Sequence, residues 1–243
     1  MEVEGKQTVL RDGAKMDKQR ARERILKIGV VPVVRASSAR EARLAADAVC
    51  QAGIPIVEIT MTVPGAVDVI RELTKSSSGD VLIGAGTVLN VEAARKCLDA
   101  GAQFLVSPGL NLEVVKLAGT EGKLMMAGAL TPTEVITAWE AGSDFVKVFP
   151  CGQVGGAKYI KALQGPFPQI PLVPTGGVSL LTAAEFIEAG AVALGVGGEC
   201  VQAEALKANK PEIIVENAKK FLAIVNQARE RIASAKALAK SSH

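Results

Sequence analysis

The sequence predicts an α/β fold: a TIM (β/α)8 barrel with an extra N-terminal helix. Three observations favour it. The chain has 243 residues, close to the ~250 that are typical of a single barrel of this kind. From residue 28 onward, apolar runs of about six residues alternate with helical stretches of about ten to fifteen, as in repeated β-α-β units. There are eight such runs, and eight parallel strands, each followed by a helix, close into a barrel more readily than they lie open.

The predicted elements occupy most of the chain. Residues 1–15 are polar and irregular, and 16–27 read as a short amphipathic helix that could cover one end of the barrel. We therefore expect a leader and capping helix over 1–28 and one barrel domain over 29–243. The last helix is expected to begin near Lys210-Pro211-Glu212 and to run to about residue 237. The predicted strands lie near residues 29–35, 54–60, 80–86, 103–107, 123–128, 144–149, 171–175 and 191–196.

Two helix starts carry a capping box, in which the first and fourth residues each bond to the other's backbone. They are Ser38-Ala39-Arg40-Glu41 and Thr131-Pro132-Thr133-Glu134. The second also has proline at the first helical position, where its missing N–H is not needed. Both motifs predict helices that begin directly after a strand and a short loop.

Composition excludes several classes of protein. The net charge of +3 is mild, and no basic stripe is interleaved with aromatic residues, which argues against nucleic-acid binding. The cysteines Cys50, Cys97, Cys151 and Cys200 have no CxxC spacing and are predicted to be reduced thiols. Since the only histidine is the terminal His243, neither a His-ligated metal site nor a Ser-His-Asp triad can form. With no secretory signal and no membrane-spanning run, we expect a soluble, cytoplasmic protein.

A lysine inside a predicted buried strand is the main functional signal. Lys147 lies in Asp144-Phe145-Val146-Lys147-Val148-Phe149-Pro150, a segment too short and too rich in β-forming residues for a helix. Desolvation lowers the pKa of a lysine, and a neutral amine is a nucleophile that can condense with a carbonyl to form a Schiff base. The alternative is that Lys147 ends the strand and extends its amine into water.

A weak internal repeat of Ala-Gly pairs supplies the geometry. Each pair closes a predicted helix and leads straight into a strand, with glycine at the residue that follows the C-cap. Five residues beyond each glycine lie Glu58, Val106, Lys147 and Gly195, on the second, fourth, sixth and eighth strands. Alternate strands contribute the four inward side chains of one barrel layer, so we expect Glu58 and Lys147 to face each other. The four pairs are Ala52-Gly53, Ala100-Gly101, Ala141-Gly142 and Ala189-Gly190.

Glu58 is a second charged residue in an apolar strand, Ile56-Val57-Glu58-Ile59-Thr60. An amine and a carboxylate this close can exchange protons, as imine chemistry requires. The alternative is a buried ion pair that only holds the barrel together. Because buried ion pairs are often no better than apolar residues for stability, the functional interpretation is favoured.

Further polar residues end strands at the same mouth of the predicted barrel, where enzymes of this fold place catalytic and binding residues. Arg35 ends the first strand and could hold a carboxylate through two hydrogen bonds, although a surface salt bridge is as good an explanation. Thr60 and Thr87 also end strands and could offer hydroxyl donors.

Glycine-rich turns follow the seventh and eighth strands. Loops at these places commonly bind phosphate through backbone N–H groups and a short helix N-terminus, although glycine also serves ordinary tight turns. The turns are Pro174-Thr175-Gly176-Gly177 and Gly195-Val196-Gly197-Gly198. We predict a phosphate site formed by Thr175, Gly176, Gly177, Gly197 and Gly198.

Six motifs that occur in one order along the chain resemble those of a known family. They are Val57-Glu58-Ile59-Thr60, Gly84-Ala85-Gly86-Thr87-Val88, Val106-Ser107-Pro108-Gly109, Phe145-Val146-Lys147-Val148-Phe149-Pro150, Gly165-Pro166-Phe167-Pro168 and Pro174-Thr175-Gly176-Gly177-Val178. Between about residues 29 and 200 the chain is similar to the bacterial class I aldolases that cleave 2-keto-3-deoxy-6-phosphogluconate (KDPG) and 4-hydroxy-2-oxoglutarate (KHG).

The resemblance implies a role for each matching residue. Lys147 is then the Schiff-base lysine and Glu58 the proton shuttle, while Arg35, Thr87 and Pro108 line the pyruvate pocket. It also implies that Phe149 packs beside this pocket and that the assembly is a homotrimer. The implied reaction cleaves KDPG to pyruvate and glyceraldehyde 3-phosphate, or KHG to pyruvate and glyoxylate. It needs no metal or organic cofactor, and its only other partner is a small keto acid.

The chain departs from the family's pattern at two positions. Thr62 stands where some members carry an arginine for the substrate carboxylate, so Arg35 is expected to take that task, with Thr60 and Thr62 beside it. Glu199 follows Gly197-Gly198, where the family usually has a small or hydroxyl residue beside the phosphate. A carboxylate there would repel a phosphate unless it points away, which makes the phosphorylated substrate less certain than the cleavage itself.

Two other functions are open to the same residues. A phosphosugar isomerase or epimerase would use the glycine turns with Glu58 as its base and would need no nucleophilic amine. A non-catalytic sugar-acid binding barrel would keep Glu58 and Lys147 as a structural pair.

Overall fold

The protein is described by a computed structural model that covers residues 16–77, 79 and 81–241. The predicted irregular leader, residues 1–15, lies outside the described residues. The strands are β1 (Val30–Val34), β2 (Ile56–Thr60), β3 (Leu82–Gly86), β4 (Phe104–Val106), β5 (Leu124–Ala129), β6 (Phe145–Val148), β7 (Leu172–Pro174) and β8 (Leu194–Val196). The helices are α1 (Lys18–Ile28), α2 (Ala39–Gln51), α3 (Ala66–Ser76), α4 (Val91–Asp99), α5 (Leu112–Thr120), α6 (Pro132–Glu140), α7 (Ala157–Gln164), α8 (Ala183–Glu188), α9 (Ala203–Lys207) and α10 (Pro211–Ser241), with a 3-10 helix at Cys151–Val154.

The eight strands form one parallel sheet that closes into a barrel. From β1 to β7 each strand pairs with the next one in the sequence, and β1 also pairs with β8. A parallel bridge between Thr175, directly after β7, and Gly195 in β8 joins the two ends of the sheet. Every strand residue is buried, as expected when side chains on one face fill the barrel and those on the other pack against helices. The predicted TIM (β/α)8 barrel is confirmed.

The Ala-Gly repeat ends helices as predicted. In each pair the alanine is the C-cap in a right-handed conformation, and the glycine after it has a positive φ that other residues rarely adopt. This left-handed step turns the chain directly into the next strand, so the distance from glycine to strand is similar in all four repeats. The φ angles are 94° at Gly53, 101° at Gly101, 95° at Gly142 and 106° at Gly190.

Of the two predicted capping boxes, the one at Thr131 is confirmed and the one at Ser38 is half right. Thr131 accepts a hydrogen bond from the Glu134 amide and the Glu134 carboxylate accepts one from the Thr131 amide. Ser38 likewise accepts from the Glu41 amide at 3.2 Å. The Glu41 carboxylate, however, accepts from the amide and the hydroxyl of Ser37, both at 2.8 Å. Ser37 can donate to the Glu41 carboxylate from both its amide and its hydroxyl, whereas the expected partner, the backbone of Ser38, could donate only from its amide.

Helix α1 covers the end of the barrel at which the strands begin. Its Ala21 and Ile25 are buried, Lys18 Nζ lies 2.9 Å from Asp144 Oδ1, and the Arg22 guanidinium stands 5.7 Å from the ring centre of Phe145. Asp144 and Phe145 are at the start of β6, so α1 lies at the opposite end from the carboxyl ends of the strands. The predicted capping role of this helix agrees with these contacts.

Helix α10 packs between α2 and α8 on the outside of the barrel. Arg229 fixes it to the rest of the molecule, donating from Nη2 to the carbonyls of Leu26 at 2.7 Å and Val192 at 3.0 Å. It begins at Pro211, as predicted. In the part of the chain that the structure describes, no helix is both long enough and apolar enough to cross a membrane.

Candidate active site

Lys147 and Glu58 meet inside the barrel. Lys147 Nζ lies 4.0 Å from Glu58 Oε1, and both side chains are almost completely removed from solvent. Lys147 is on β6 and Glu58 on β2, so the contact crosses the barrel between non-adjacent strands. Two ionisable groups thus share one enclosed space, as the Ala-Gly repeat predicted, and the amine does not extend into water.

The electrostatics of Glu58 follow from this burial. Desolvation raises the pKa of the Glu58 carboxyl and outweighs the attraction of Lys147 and Arg35, which acts in the opposite direction. Glu58 Oε1 is buried and accepts no hydrogen bond from the described residues. A carboxyl group with a raised pKa and a free lone pair can both take up and return a proton.

Two glycines on β3, the strand next to β2, leave space for the side chains of Glu58 and Phe104. Glu58 pairs with Gly84 in the β2–β3 register, and a Cβ built on Gly86 would stand 2.0 Å from Glu58 Oε1. A Cβ on Gly84 would stand 2.3 Å from the ring of Phe104. The alternating glycines of β3 therefore leave the volume that the Glu58 side chain and the Phe104 ring occupy.

A cavity of about 320 Å³ opens at the carboxyl ends of the strands. Phe149 joins it to the buried pair, since its ring centre is 5.3 Å from Lys147 Nζ and its side chain lines the cavity. This is the end of the barrel at which enzymes of this fold bind their substrates. The lining residues are Val33, Arg35, Phe149, Thr175, Gly176, Gly177, Val178, Gly195, Gly197, Gly198 and Glu199.

Arg35 lies on the side of this cavity formed by the loop after β8. A Cβ built on Gly197 would stand 3.2 Å from Arg35 Nη1, so the guanidinium rests against that glycine turn. The same cavity holds all five residues predicted for phosphate. Arg35 is the one cationic residue among the described residues that line the cavity. It can bind an anion together with the backbone amides of the glycine turns.

The glycine turn after β7 is shaped by close backbone contact. Gly176 and Gly177 have φ of 80° and 82°, and a Cβ on Gly177 would stand 2.6 Å from Gly152 Cα. Among the described residues, no backbone carbonyl accepts a hydrogen bond from the amides of Gly176, Gly177 or Gly198. These amides are donors available to an anion in the cavity.

The remaining predicted keto-acid residues are not among those that line this cavity. Thr60 Oγ1 donates to the carbonyl of Val34 at 3.0 Å and lies 2.7 Å from Thr62 Oγ1. Thr87 ends β3 with φ of 58°, a left-handed conformation that is unusual for a β-branched residue. All three threonines lie at the carboxyl ends of β2 and β3, next to the Glu58 strand.

Pro108 lies against β5, the strand that pairs with the Lys147 strand β6. A Cβ on Gly128 would stand 2.3 Å from the carbonyl carbon of Pro108, and Gly128 pairs with Lys147 in the β5–β6 register. The Ser107 hydroxyl accepts from the Gly128 amide at 3.3 Å and holds the loop in place. Gly128 thus allows the loop after β4 to approach the lysine strand.

Sequence reasoning missed two of the lining residues, Val33 and Val178. Val33 is two residues before Arg35 on β1, and the period of two in a strand predicts that both face the same side. Val178 belongs to a motif that the sequence analysis noted, but no pattern indicated where its side chain would lie.

Cysteine and metal chemistry are not indicated at this site. Burial raises the pKa of the Cys151 thiol, directly after the Lys147 strand, to about 12, so it is not a thiolate nucleophile near neutral pH. Across residues 16–77, 79 and 81–241, no three His, Cys, Asp or Glu side chains come together as metal ligands.

Comparison with known proteins decides the family. The model of the family described as KDPG and KHG aldolase matches residues 21–216. The chain belongs to this aldolase family. The KHG/KDPG aldolase of Escherichia coli K12 is 35% identical over 199 residues, which are 81% of this chain and 92% of that protein. The 2-dehydro-3-deoxy-phosphogluconate aldolase of Haemophilus influenzae is 38% identical over 158 residues, 65% of this chain and 74% of that protein.

Solved structures of aldolases of this family have the same fold. A structure titled native KDPGal structure has a TM-score of 0.78 at 31% identity and covers 84% of this chain and 97% of its own. The KDPG aldolase of Legionella pneumophila, captured with pyruvate as a covalent carbinolamine, has a TM-score of 0.74 at 28% identity, with 82% and 96% covered. A cage designed by fusing symmetric oligomeric domains has a TM-score of 0.82 at 29% identity, with 89% and 78% covered. The resemblance inferred from the sequence motifs is confirmed.

Proposed function

We propose that this chain is a class I aldolase that cleaves a 2-keto-3-deoxy-4-hydroxy acid to pyruvate and an aldehyde, with Lys147 as the Schiff-base lysine. The chain is a lyase by its family membership. The substrate class is that of its relatives: KDPG, giving glyceraldehyde 3-phosphate, and KHG, giving glyoxylate. One observation carries the assignment of residues, namely the buried amine of Lys147 at 4.0 Å from the buried carboxyl of Glu58.

The first half of the reaction forms an iminium ion. The Lys147 amine attacks the C2 ketone, and the carbinolamine that results loses water. Glu58 carries protons between the nitrogen and the leaving oxygen, directly or through water, because its pKa is raised and its Oε1 is free. The iminium then acts as an electron sink for the bond that breaks next.

The second half cleaves the carbon chain. Glu58 removes the proton of the C4 hydroxyl, the C3–C4 bond breaks, and its electron pair moves into the iminium to leave an enamine of pyruvate and a free aldehyde. Protonation at C3 and addition of water release pyruvate and regenerate the Lys147 amine. Every proton is returned, and the water lost when the iminium forms balances the water added at its hydrolysis, so the cycle needs no net co-reactant.

The cavity residues are proposed to orient the substrate. Arg35 and the amides of Gly176, Gly177, Gly197 and Gly198, with the hydroxyl of Thr175, hold the anionic or polar end of the molecule. Phe149 packs on the reacting carbons beside Lys147. The pyruvate half lies toward Thr60, Thr62, Thr87 and Pro108, around the strands that carry Glu58 and Lys147.

The experiment that tests this function measures pyruvate release from KDPG and KHG with a coupled lactate dehydrogenase assay. We expect turnover by the natural chain and none by Lys147→Ala, because Lys147 is the amine that lies beside Glu58 and no other described lysine lines the cavity that Phe149 joins to this pair. Lys161→Ala, at an exposed position on α7, is the matched control and should retain full activity. Full activity in Lys147→Ala would contradict the proposal.

The isomerase and binding-protein alternatives are not favoured by the family match. A phosphosugar isomerase needs a base but no nucleophilic amine, so it gives no reason for an amine beside Glu58. A binding protein would hold the keto acid without cleaving it, and the same assay excludes it if pyruvate is released.

We also propose that the protein works as a homotrimer in the cytoplasm. The trimer is implied by the family resemblance, and the designed cage built from oligomeric domains supports association of this fold. Leu89 and Leu112 are exposed apolar side chains that a neighbouring subunit would cover in the proposed trimer, and the side chain of Asn111 joins their loops by donating to the Leu89 carbonyl. The four free cysteines suit a reducing compartment. Sedimentation analysis should find three chains in each particle.

A further inference from the structure

The cavity beside the Schiff-base lysine contains a residue that opposes the binding of phosphate. Arg35 and the backbone amides of the two glycine turns favour an anion there. Glu199 lines the same cavity directly after Gly198. The lining residues thus include one full positive and one full negative charge, whereas a phosphate monoester carries a charge of about −1.5 to −2 at neutral pH.

The position of Glu199 makes this repulsion hard to avoid. Glu199 is exposed, and its side chain has three single bonds, each with several staggered conformations. Consecutive Cα atoms are about 3.8 Å apart, and charges interact over about 8 Å at physiological ionic strength. Because Glu199 lines the cavity next to Gly198, an anion that accepts a hydrogen bond from the Gly198 amide lies within this range of the Glu199 carboxylate when the side chain turns toward the cavity.

The same carboxylate favours a different substrate end. A hydroxyl group can donate to Glu199 while it accepts from the glycine amides or from Arg35, so a polyhydroxylated end without phosphate satisfies all of these groups. A phosphate has acceptor oxygens and little to donate. A cavity that includes Glu199 is thus better suited to the uncharged end of a sugar acid than a cavity lined by glycines and arginine alone would be.

We propose that Glu199 sets the substrate range of this aldolase, weakening the hold on a terminal phosphate and extending activity to unphosphorylated 2-keto-3-deoxy sugar acids. This inference rests on the proposed aldolase function. It assigns to Glu199 a role in specificity and none in the bond cleavage, which belongs to Lys147 and Glu58.

The test compares kcat/KM for KDPG with that for unphosphorylated 2-keto-3-deoxygluconate. In Glu199→Gln, which removes the charge and keeps the shape, the ratio of phosphorylated to unphosphorylated substrate should rise about tenfold, the size expected for one charge pair near a surface. Inorganic phosphate should also inhibit this variant at an about tenfold lower concentration than it inhibits the natural chain. The matched control is Glu204→Gln, an equal charge change on the exposed face of α9 outside the cavity.

An unchanged ratio in Glu199→Gln, or an equal rise in Glu204→Gln, would overturn the inference. Trapping with pyruvate and borohydride separates this result from failure of the proposed function, because pyruvate has no distal end for Glu199 to contact. An adduct on Lys147 together with an unchanged ratio refutes the role of Glu199 alone. Absence of the adduct refutes the aldolase mechanism itself.

Discussion

At the scale of single residues, the proposed aldol cleavage depends on two ionisable groups that are held where water is excluded. Lys147 and Glu58 each stand in an otherwise apolar strand, and the barrel brings them to 4.0 Å. Neither group alone could run the reaction: the amine needs a proton carrier, and the carboxyl needs an electron sink. Their burial is costly for the fold, and the reaction proposed for them accounts for it.

The raised pKa of Glu58 leads to a prediction about pH. Burial favours the protonated carboxyl, so the ionised base that takes the C4 hydroxyl proton is lost as pH falls through a value above glutamate's usual range. We expect kcat/KM to decline on the acid side at a pH above about 4.3, the ordinary pKa of glutamate. Glu58→Gln should lower kcat by a factor on the order of 10² and remove this acid limb. A limb that persists unchanged in the variant would assign the titration to another group.

The central pair could be predicted from the sequence, and the surroundings only in part. A charge in a short apolar strand and a repeated count from each Ala-Gly pair were enough to place Lys147 and Glu58. The left-handed φ of Thr87 could not be foreseen, since β-branched residues rarely adopt it. The approach of Arg35 to Gly197 is set by loop packing between distant parts of the chain, which no local pattern encodes.

At the scale of secondary-structure elements, the β2–β3 pair controls where the carboxyl of Glu58 lies. The strands pair in parallel along their whole length, and the missing side chain of Gly86 leaves the space that the Glu58 carboxyl occupies. Strand positions could be predicted because apolar runs and helix caps are local signals. The partner of the Glu41 carboxylate could not, because two adjacent serines offer donors there and the carboxylate accepts from Ser37.

Gly86→Ala tests this control of position. The new methyl group would stand 2.0 Å from Glu58 Oε1, so the carboxyl must leave its present position beside Lys147. Because a displacement of about 1 Å can cost 10² in rate, we expect kcat to fall by about that factor while circular dichroism still shows a folded barrel.

The control is Gly119→Ala on α5, where a Cβ meets no atom within 4 Å. That variant should keep full activity and gain up to about 1 kcal/mol in the free energy of unfolding, since alanine favours the helix. Equal activity in the two variants would show that Gly86 does not position Glu58.

At the scale of the whole molecule, the capping helix and the candidate active site lie at opposite ends of the barrel. Helix α1 closes the end at which strands begin, through buried Ala21 and Ile25 and the ion pair of Lys18 with Asp144. The cavity, Arg35 and the glycine turns lie at the other end. The sequence predicted both features, because a capping helix and strand-terminal polar residues are each visible in the order of residues.

Ile25→Ala separates the two ends experimentally. Ile25 is fully buried, so its truncation should lower the free energy of unfolding by about 2–5 kcal/mol in urea denaturation. The kcat of the folded protein should stay within about twofold of the natural value, since α1 covers the opposite end of the barrel from the cavity. Lys27→Ala, at an exposed position of the same helix, should change neither quantity. A large loss of kcat in Ile25→Ala would show that the two ends are coupled.

The most direct test of the account is chemical trapping of the imine. The protein is incubated with pyruvate and sodium borohydride, digested, and examined by mass spectrometry. We predict one reduced pyruvate adduct, on the peptide that contains Lys147, with activity lost in proportion to labelling and no labelling of Lys147→Ala. An enzyme that keeps its full activity with Lys147 unmodified, or that carries the adduct on a different lysine, would contradict the account.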